Sequence, residues 1–120
     1  HIIYMTKEQI LEFNKKCAIF IGAKFYNGDK ETFPNGYWLL DDDDYDFDLS
    51  KYLGNMKFHS DWHLIMGVIE KIESLKYGVE IIGNYCHIIG SDIYSTKVNK
   101  KQAIIEAIDR FLTDYLNGTK

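Results

Sequence analysis

The amino-acid sequence predicts an α+β fold, a layered α/β sandwich in which three helices pack with a mainly antiparallel sheet of about four strands. Two observations support this prediction. Apolar residues recur at helical spacing in three segments of the chain. Between those segments, short β-like runs occur in pairs with turn residues between them. The predicted element order is therefore α-β-β-α-β-β-α, and 120 residues are enough for one such domain.

The first predicted helix begins at Thr6, because Thr6 and Gln9 have the spacing of a capping box. Apolar side chains then recur at helical spacing up to Gly22, which is the expected stop. Ahead of this helix we assign residues 1–5 to an N-terminal extension or an expression remnant. Residues 6–118 are predicted to form a single α/β sandwich domain.

Two hairpins are predicted between the helices. Segments 79–82 and 85–89 are expected to be strands, joined by Gly83-Asn84, a two-residue sequence typical of a tight turn. Segments 24–26 and 37–40 are shorter β-like runs, and they flank a stretch rich in turn residues. The two pairs together account for the four expected strands.

The second predicted helix begins near Ser60 or Asp61, either of which can cap it, and ends at Gly78. We expect Trp62 to lie in the core, because it shares a helix face with the apolar residues that follow. The expected apolar stripe consists of Trp62, Ile65, Met66, Ile69 and Ile72. On this assignment Trp62→Ala would unfold the domain or leave it molten.

The third predicted helix begins at Asn99, where Gln102 completes a capping pattern, and Asn117-Gly118 closes it. Its broad apolar face is expected to consist of Ala103, Ile104, Ala107, Ile108, Phe111, Leu112 and Tyr115.

Composition narrows the possible functions. The net charge is −4, so the chain lacks the basic footprint of a nucleic-acid-binding protein. No run approaches the roughly 18 apolar residues of a membrane span. Cys17 and Cys86 lie far apart in apolar stretches, and we interpret them as buried free thiols. We predict no cofactor, no direct nucleic-acid binding and no membrane insertion.

The acidity is concentrated in residues 29–48, which carry a net charge of −7. The candidate binding residues are Trp38, Asp41, Asp42, Asp43, Asp44, Tyr45, Asp46 and Asp48. The run does not match an EF-hand calcium loop, because Phe47 and Leu53 stand where that loop requires Gly and Glu. Three interpretations remain open: a solvated loop that protects a sheet edge, a site for cations or a basic partner, and mimicry of a phosphate backbone.

His59, Asp61 and His63 form an H-x-D-x-H pattern, and these residue types are common metal ligands. The expected cap places His59 before the helix, however, so the two histidines do not form a helical i,i+4 pair. We therefore favour a structural role, in which Asp61 caps the helix and His59 hydrogen-bonds the helix start. The alternative is a small metal-dependent hydrolase that uses the three residues with carboxylates of segment 41–48.

Residues 58–73, with the sequence FHSDWHLIMGVIEKIE, resemble a segment of the small "ABA sandwich" domain proteins found in phage and prophage genomes. The predicted helix that ends at Gly22 and the sequence GYWL at residues 36–39 also fit that family. The sequence departs from the family at Gly67, where a proline is expected, and in the length of its aspartate run. The resemblance implies a layered α/β fold and a phage context, but no mechanism, because the family is functionally uncharacterised.

Together these observations favour an accessory domain of phage or prophage type that binds another macromolecule, with a protein as a possible partner. The acidic, aromatic-rich segment is the expected binding surface. The phage context implies the cytoplasm of a bacterial host cell. The oligomeric state is left open, and self-association through a sheet edge or the third helix is one possibility.

Overall fold

The computed structural model of the chain describes residues 5–26, 37–39 and 57–118. Its helices are α1 (Lys7–Phe20), α2 (Trp62–Ser74) and α3 (Lys100–Gly118). Its strands are β1 (Lys24–Tyr26), β2 (Tyr37–Leu39), β3 (Gly78–Ile82), β4 (Tyr85–Ile89) and β5 (Tyr94–Thr96). The α+β class and the three helices are confirmed.

The strands in the described part of the chain form two antiparallel sheets rather than one. β1 pairs with β2, and β3, β4 and β5 follow one another in a second, three-stranded sheet. The prediction of a sheet of about four strands is therefore wrong, because the sheet against which the helices pack has three. β5 was not predicted, because the residue that it buries is the polar Ser95, so no apolar side chain marks a buried face in the sequence.

Side-chain caps begin all three helices, as predicted. The hydroxyl of Thr6 accepts a hydrogen bond from the backbone N–H of Gln9 at 3.1 Å, and Oε1 of Gln9 accepts from the backbone N–H of Thr6 at 2.9 Å. Asp61 caps α2, and Oδ1 of Asn99 accepts from the backbone N–H of Gln102 at 2.9 Å. These contacts satisfy N–H groups that have no partner inside a helix.

The end of α2 differs from the prediction. The helix ends at Ser74, and Lys76 adopts the left-handed conformation (φ +76°) that was expected of Gly78. Gly78 instead opens β3, opposite Ile89 of β4. A β-carbon at Gly78 would lie 3.2 Å from Cβ of Ile89, so glycine here permits a close cross-strand approach.

The core is built around α3. This helix packs on β4 and β5 and also contacts α1, while α2 packs against β3. The buried residues of α3 are Ala103, Ile104, Ile105, Ala107, Ile108, Phe111 and Leu112. This confirms the predicted face except at its end, where Tyr115 is only partly buried, and adds Ile105, which was not predicted. Met5, which was assigned to the N-terminal extension, packs against this core.

Trp62 does not lie in the core, and this prediction is wrong. Its side chain is 42% exposed, and Nζ of Lys101 lies 5.2 Å from the centre of its ring. The buried stripe of α2 consists of Ile65, Val68, Ile69 and Ile72, and Met66 is exposed. Helical side chains point towards the helix N-terminus. Because Trp62 is the first residue of α2, its side chain extends beyond the helix end and away from the buried stripe. Phe58, which is 1% exposed, is the aromatic residue of this segment that enters the core.

Both cysteines are free and buried, as predicted. Burial raises the pKa of the Cys86 thiol to about 11, and burial with the charge of Asp109 raises that of Cys17 well above its usual range. Both side chains are therefore protonated thiols at neutral pH, which are poor nucleophiles and poor metal ligands.

A polar contact joins β5 to α3. The hydroxyl of Ser95, which is buried, donates a hydrogen bond to Oε2 of Glu106 at 2.5 Å, and Nζ of Lys97 lies 3.1 Å from Oε1. Burial by itself would raise the pKa of Glu106. The hydrogen bonds from Ser95 and Lys97, with the charges of Lys97 and Arg110, outweigh burial and lower this pKa below its usual value.

Glu106→Gln is expected to destabilise the domain more at neutral than at acidic pH. Because folding lowers the pKa of Glu106, its carboxylate contributes stability above its ordinary pKa of 4.5. That contribution is lost as the pH falls through the lowered value. Urea unfolding should therefore show a difference between parent and variant that shrinks on acidification. Ser95→Ala should show the same trend with smaller amplitude, and a difference independent of pH would contradict the assignment.

Candidate functional site

Most of the predicted acidic surface lies outside the described residues. Asp41, Asp42, Asp43, Asp44, Tyr45, Asp46 and Asp48 belong to this group. Trp38 lies on β2, where its backbone is in register with Phe25 of β1. The role of this segment stays a prediction of the sequence.

Asp61 performs the capping role that was predicted for it. Its Oδ1 accepts hydrogen bonds from the backbone N–H groups of His63 and Leu64, at 2.9 and 3.4 Å. A carboxylate at this position also interacts favourably with the positive end of the helix dipole. The side chain of His63 is exposed on the first turn of α2.

His59 connects the segment before α2 to α1. Nδ2 of the buried Asn14 lies 3.3 Å from Nδ1 of His59, so the partner of His59 is this amide rather than the start of α2. Because an amide nitrogen donates, Nδ1 accepts and carries no proton in this contact. Burial, followed by the charges of Lys57 and Lys101, lowers the pKa of His59 and favours the same neutral form.

The H-x-D-x-H residues do not converge on one point. Within residues 5–26, 37–39 and 57–118, no group of three or more His, Cys, Asp or Glu side chains is placed to hold a metal ion. The hydrolase alternative would need carboxylates of segment 41–48, which are outside the described residues. It therefore stays a prediction, and no described contact favours it.

The described helices cover one face of the three-stranded sheet, and side chains on its opposite face are exposed. Cys86 and Ile88 of β4 and Ser95 of β5 are buried on the helix side. Side chains alternate between the two faces of a strand. The sequence neighbours of these buried residues, and the residues paired with those neighbours on adjacent strands, therefore lie on the opposite face. We call this surface the open sheet face; it consists of Glu80, Ile82, Tyr85, His87, Ile89, Tyr94 and Thr96.

The open sheet face is rich in apolar and aromatic side chains. Ile82 is 62% exposed and Tyr94 is 59% exposed, and Ile89 is also exposed. The rings of Tyr85 and Tyr94 lie side by side across β4 and β5, with centroids 6.4 Å apart and planes tilted by 31°. Exposed apolar side chains grouped on one surface are typical of an interaction site.

The open sheet face carries little charge. Glu80 and His87 are its ionisable groups apart from the tyrosines, and Oε1 of Glu80 lies 4.0 Å from Nδ1 of His87. The register places Glu80, His87 and Tyr94 side by side on the three strands. None of the described residues on this face is Lys or Arg, the side chains with which proteins commonly contact phosphate.

The free edge of β5 is partly occupied. The carbonyl of Ile93 accepts a hydrogen bond from the N–H of Ile88 at 2.9 Å, so the next carbonyl, that of Tyr94, points away from β4. Nη1 of Arg110 donates to this carbonyl at 2.8 Å. A strand that added to β5 would have to displace Arg110, and the face is therefore more accessible for binding than this edge.

Comparisons with protein-family models, with curated proteins and with solved structures found no match to this chain. The resemblance to the phage "ABA sandwich" domains consequently stays an expectation from the residues quoted above. None of the described helices is long and apolar enough to cross a membrane.

Proposed function

We propose that this chain is an accessory domain of phage or prophage type that binds a protein partner in the cytoplasm of a bacterial host cell. The observation that carries the proposal is the open sheet face. Antiparallel sheets covered by helices on one side commonly expose polar side chains on the other. Here Ile82, Ile89 and Tyr94 are exposed instead.

The composition of this face favours a protein over a nucleic acid as the partner. Interface cores in proteins are enriched in aromatic residues and depleted of charge, and the face carries the neighbouring rings of Tyr85 and Tyr94. Proteins bind phosphate backbones largely through Lys and Arg, and the face has neither. The net charge of −4 further opposes binding to nucleic acid.

The acidic segment 41–48 is proposed as a second part of the binding surface. Its aspartates would accelerate association with a basic region of the partner, because complementary charge steers diffusional encounter. The open sheet face would supply the apolar contacts that determine the lifetime of the complex.

The open sheet face can be tested by affinity capture from a nuclease-treated lysate of phage-infected bacteria. The parent is compared with Ile82→Ser/Tyr94→Ser and with Ile19→Ser/Met66→Ser, which removes two exposed apolar side chains from α1 and α2. We expect a protein that the parent and the helix variant retain and the sheet variant loses. Calorimetry with that purified protein should show at least about tenfold weaker binding to the sheet variant.

The same experiment contains the outcomes that would overturn the proposal. Identical sets of retained proteins for the parent and the sheet variant would exclude the face as the binding surface. A dimer of this chain that dissociates in the sheet variant, measured by sedimentation, would make a second copy the occupant. Asp41 to Asp44 changed together to Asn tests the acidic segment, and unchanged association kinetics would remove it from the surface.

A further inference from the structure

A groove of about 560 Å³ lies where the connection between β4 and β5 meets the C-terminal end of α3. Its volume is within the range of small-molecule sites. The lining residues are Tyr77, Ser91, Asp92, Ile93, Phe111, Asp114, Tyr115 and Gly118. None of the residues of the open sheet face lines this groove, and the two surfaces adjoin where Nε2 of His87 lies 3.4 Å from the backbone oxygen of Ser91.

The aromatic wall of the groove is fixed by packing between rings. Phe111, buried on α3, contacts Tyr77 edge to face with centroids 4.9 Å apart and stacks with Tyr115 at 5.7 Å. Phe20 of α1 contacts both Phe111 and Tyr115 edge to face. Tyr77 and Tyr115 are only partly buried and so remain accessible from the groove.

The connection between β4 and β5 is held in place by Ser91. Its hydroxyl donates to the carbonyl of Ile88 at 2.6 Å and accepts from the N–H of Ile93 at 3.1 Å. Gly90 precedes it with φ +101°, a conformation that favours glycine. Asp92 is thereby fixed at the groove between two anchored residues.

The charged residues among the described lining of the groove are both acidic. Asp92 and Asp114 line it, and neither has an ion-pair partner among the described residues. Gly118 ends α3, whose last turn contains no basic residue, so the negative end of the helix dipole is not compensated within that turn. None of the described lining residues is Lys, Arg or His.

We infer that this groove binds a small organic cation, an ammonium or guanidinium compound with an apolar body. Tyr77 and Tyr115 provide ring surface for the apolar body and for cation–π contact. Asp92 and Asp114 provide the opposite charge, and an anion of the same shape would be repelled. The inference does not depend on the proposed function, because it concerns a different surface.

Three probes of similar shape and different charge test this inference. They are 2-phenylethylammonium, 2-phenylethanol and phenylacetate, each titrated into ¹⁵N-labelled protein and followed by NMR. We expect saturable shifts for the ammonium compound at the amides of 91–93 and 111–118. The neutral alcohol should bind at least about tenfold more weakly, and phenylacetate should not saturate.

Two double variants separate the groove from general surface charge. Asp92→Asn/Asp114→Asn keeps the size of both side chains and should weaken ammonium binding by about tenfold. Glu70→Gln/Glu73→Gln removes two exposed carboxylates from α2 and should leave the affinity unchanged. Equal affinity for the ammonium compound and the alcohol, equal affinity of the parent and the Asp variant, or shifts that map elsewhere would each overturn the inference.

Discussion

Phe58→Ala is expected to lower the free energy of unfolding by about 3–5 kcal/mol. The ring of Phe58 is 1% exposed, and it lies just before α2 within the main hydrophobic core. Truncation removes its apolar contacts and leaves a cavity that the surrounding side chains fill only in part. The loss is a large part of the roughly 5–15 kcal/mol that stabilises a typical domain. Urea unfolding followed by circular dichroism measures it.

Trp62→Ala is the matched control, because it truncates another aromatic side chain only four positions away. Trp62 is 42% exposed, and its contact with Lys101 is of a kind that contributes about 0.5–1 kcal/mol at exposed sites. The variant should therefore lose much less stability than Phe58→Ala and remain folded. If the two variants lost equal stability, Trp62 would belong to the core and its placement in the structure would be wrong.

The contrast between Phe58 and Trp62 shows where sequence periodicity stops being informative. Helical spacing correctly groups Ile65, Ile69 and Ile72. Helical spacing does not show which other elements pack against the first turn of α2. That packing decides whether Phe58 or Trp62 is buried. The answer depends on the packing of separate elements, which is a tertiary property.

Local features were predictable because neighbouring residues determine them. The Thr6 and Asn99 caps depend on side chains within three positions, and the β3–β4 turn depends on Gly83, whose φ is +57°. The predicted pairing of 24–26 with 37–40 is confirmed over residues 37–39, since short runs that flank turn residues tend to form a hairpin.

The candidate sites were less predictable, because they combine residues from distant parts of the chain. The groove joins Asp92 to Asp114 and Tyr115, and their convergence requires α3 to pack on the sheet. The open sheet face, in contrast, is indicated by the sequence of β4. Tyr85, His87 and Ile89 alternate with Cys86 and Ile88, so the strand has large side chains on both faces. Such a pattern indicates either a strand covered on both sides or an exposed interaction surface.

Ile88→Asp is expected to unfold the domain at neutral pH. Ile88 is fully buried on the helix side of β4, where its N–H bonds the carbonyl of Ile93 and its side chain belongs to the core. A carboxylate there would lose its hydration without gaining a partner, and an isolated buried charge costs several kcal/mol after relaxation. The lost packing of isoleucine adds about 2–5 kcal/mol, so the sum reaches the stability of a typical domain. Circular dichroism and the dispersion of an NMR spectrum measure the outcome.

Ile89→Asp makes the same chemical change one residue later, on the open sheet face. Because the side chain of Ile89 is 47% exposed, an aspartate carboxylate at this position would stay hydrated, and the expected loss is about 1 kcal/mol, the range of β-propensity differences. Comparing Ile88→Asp with Ile89→Asp therefore tests which residues of β4 face the helices. A register shift of one residue would exchange the two outcomes. A folded Ile88→Asp with an unfolded Ile89→Asp would place Tyr85, His87 and Tyr94 against the helices and remove the surface on which the proposed function depends.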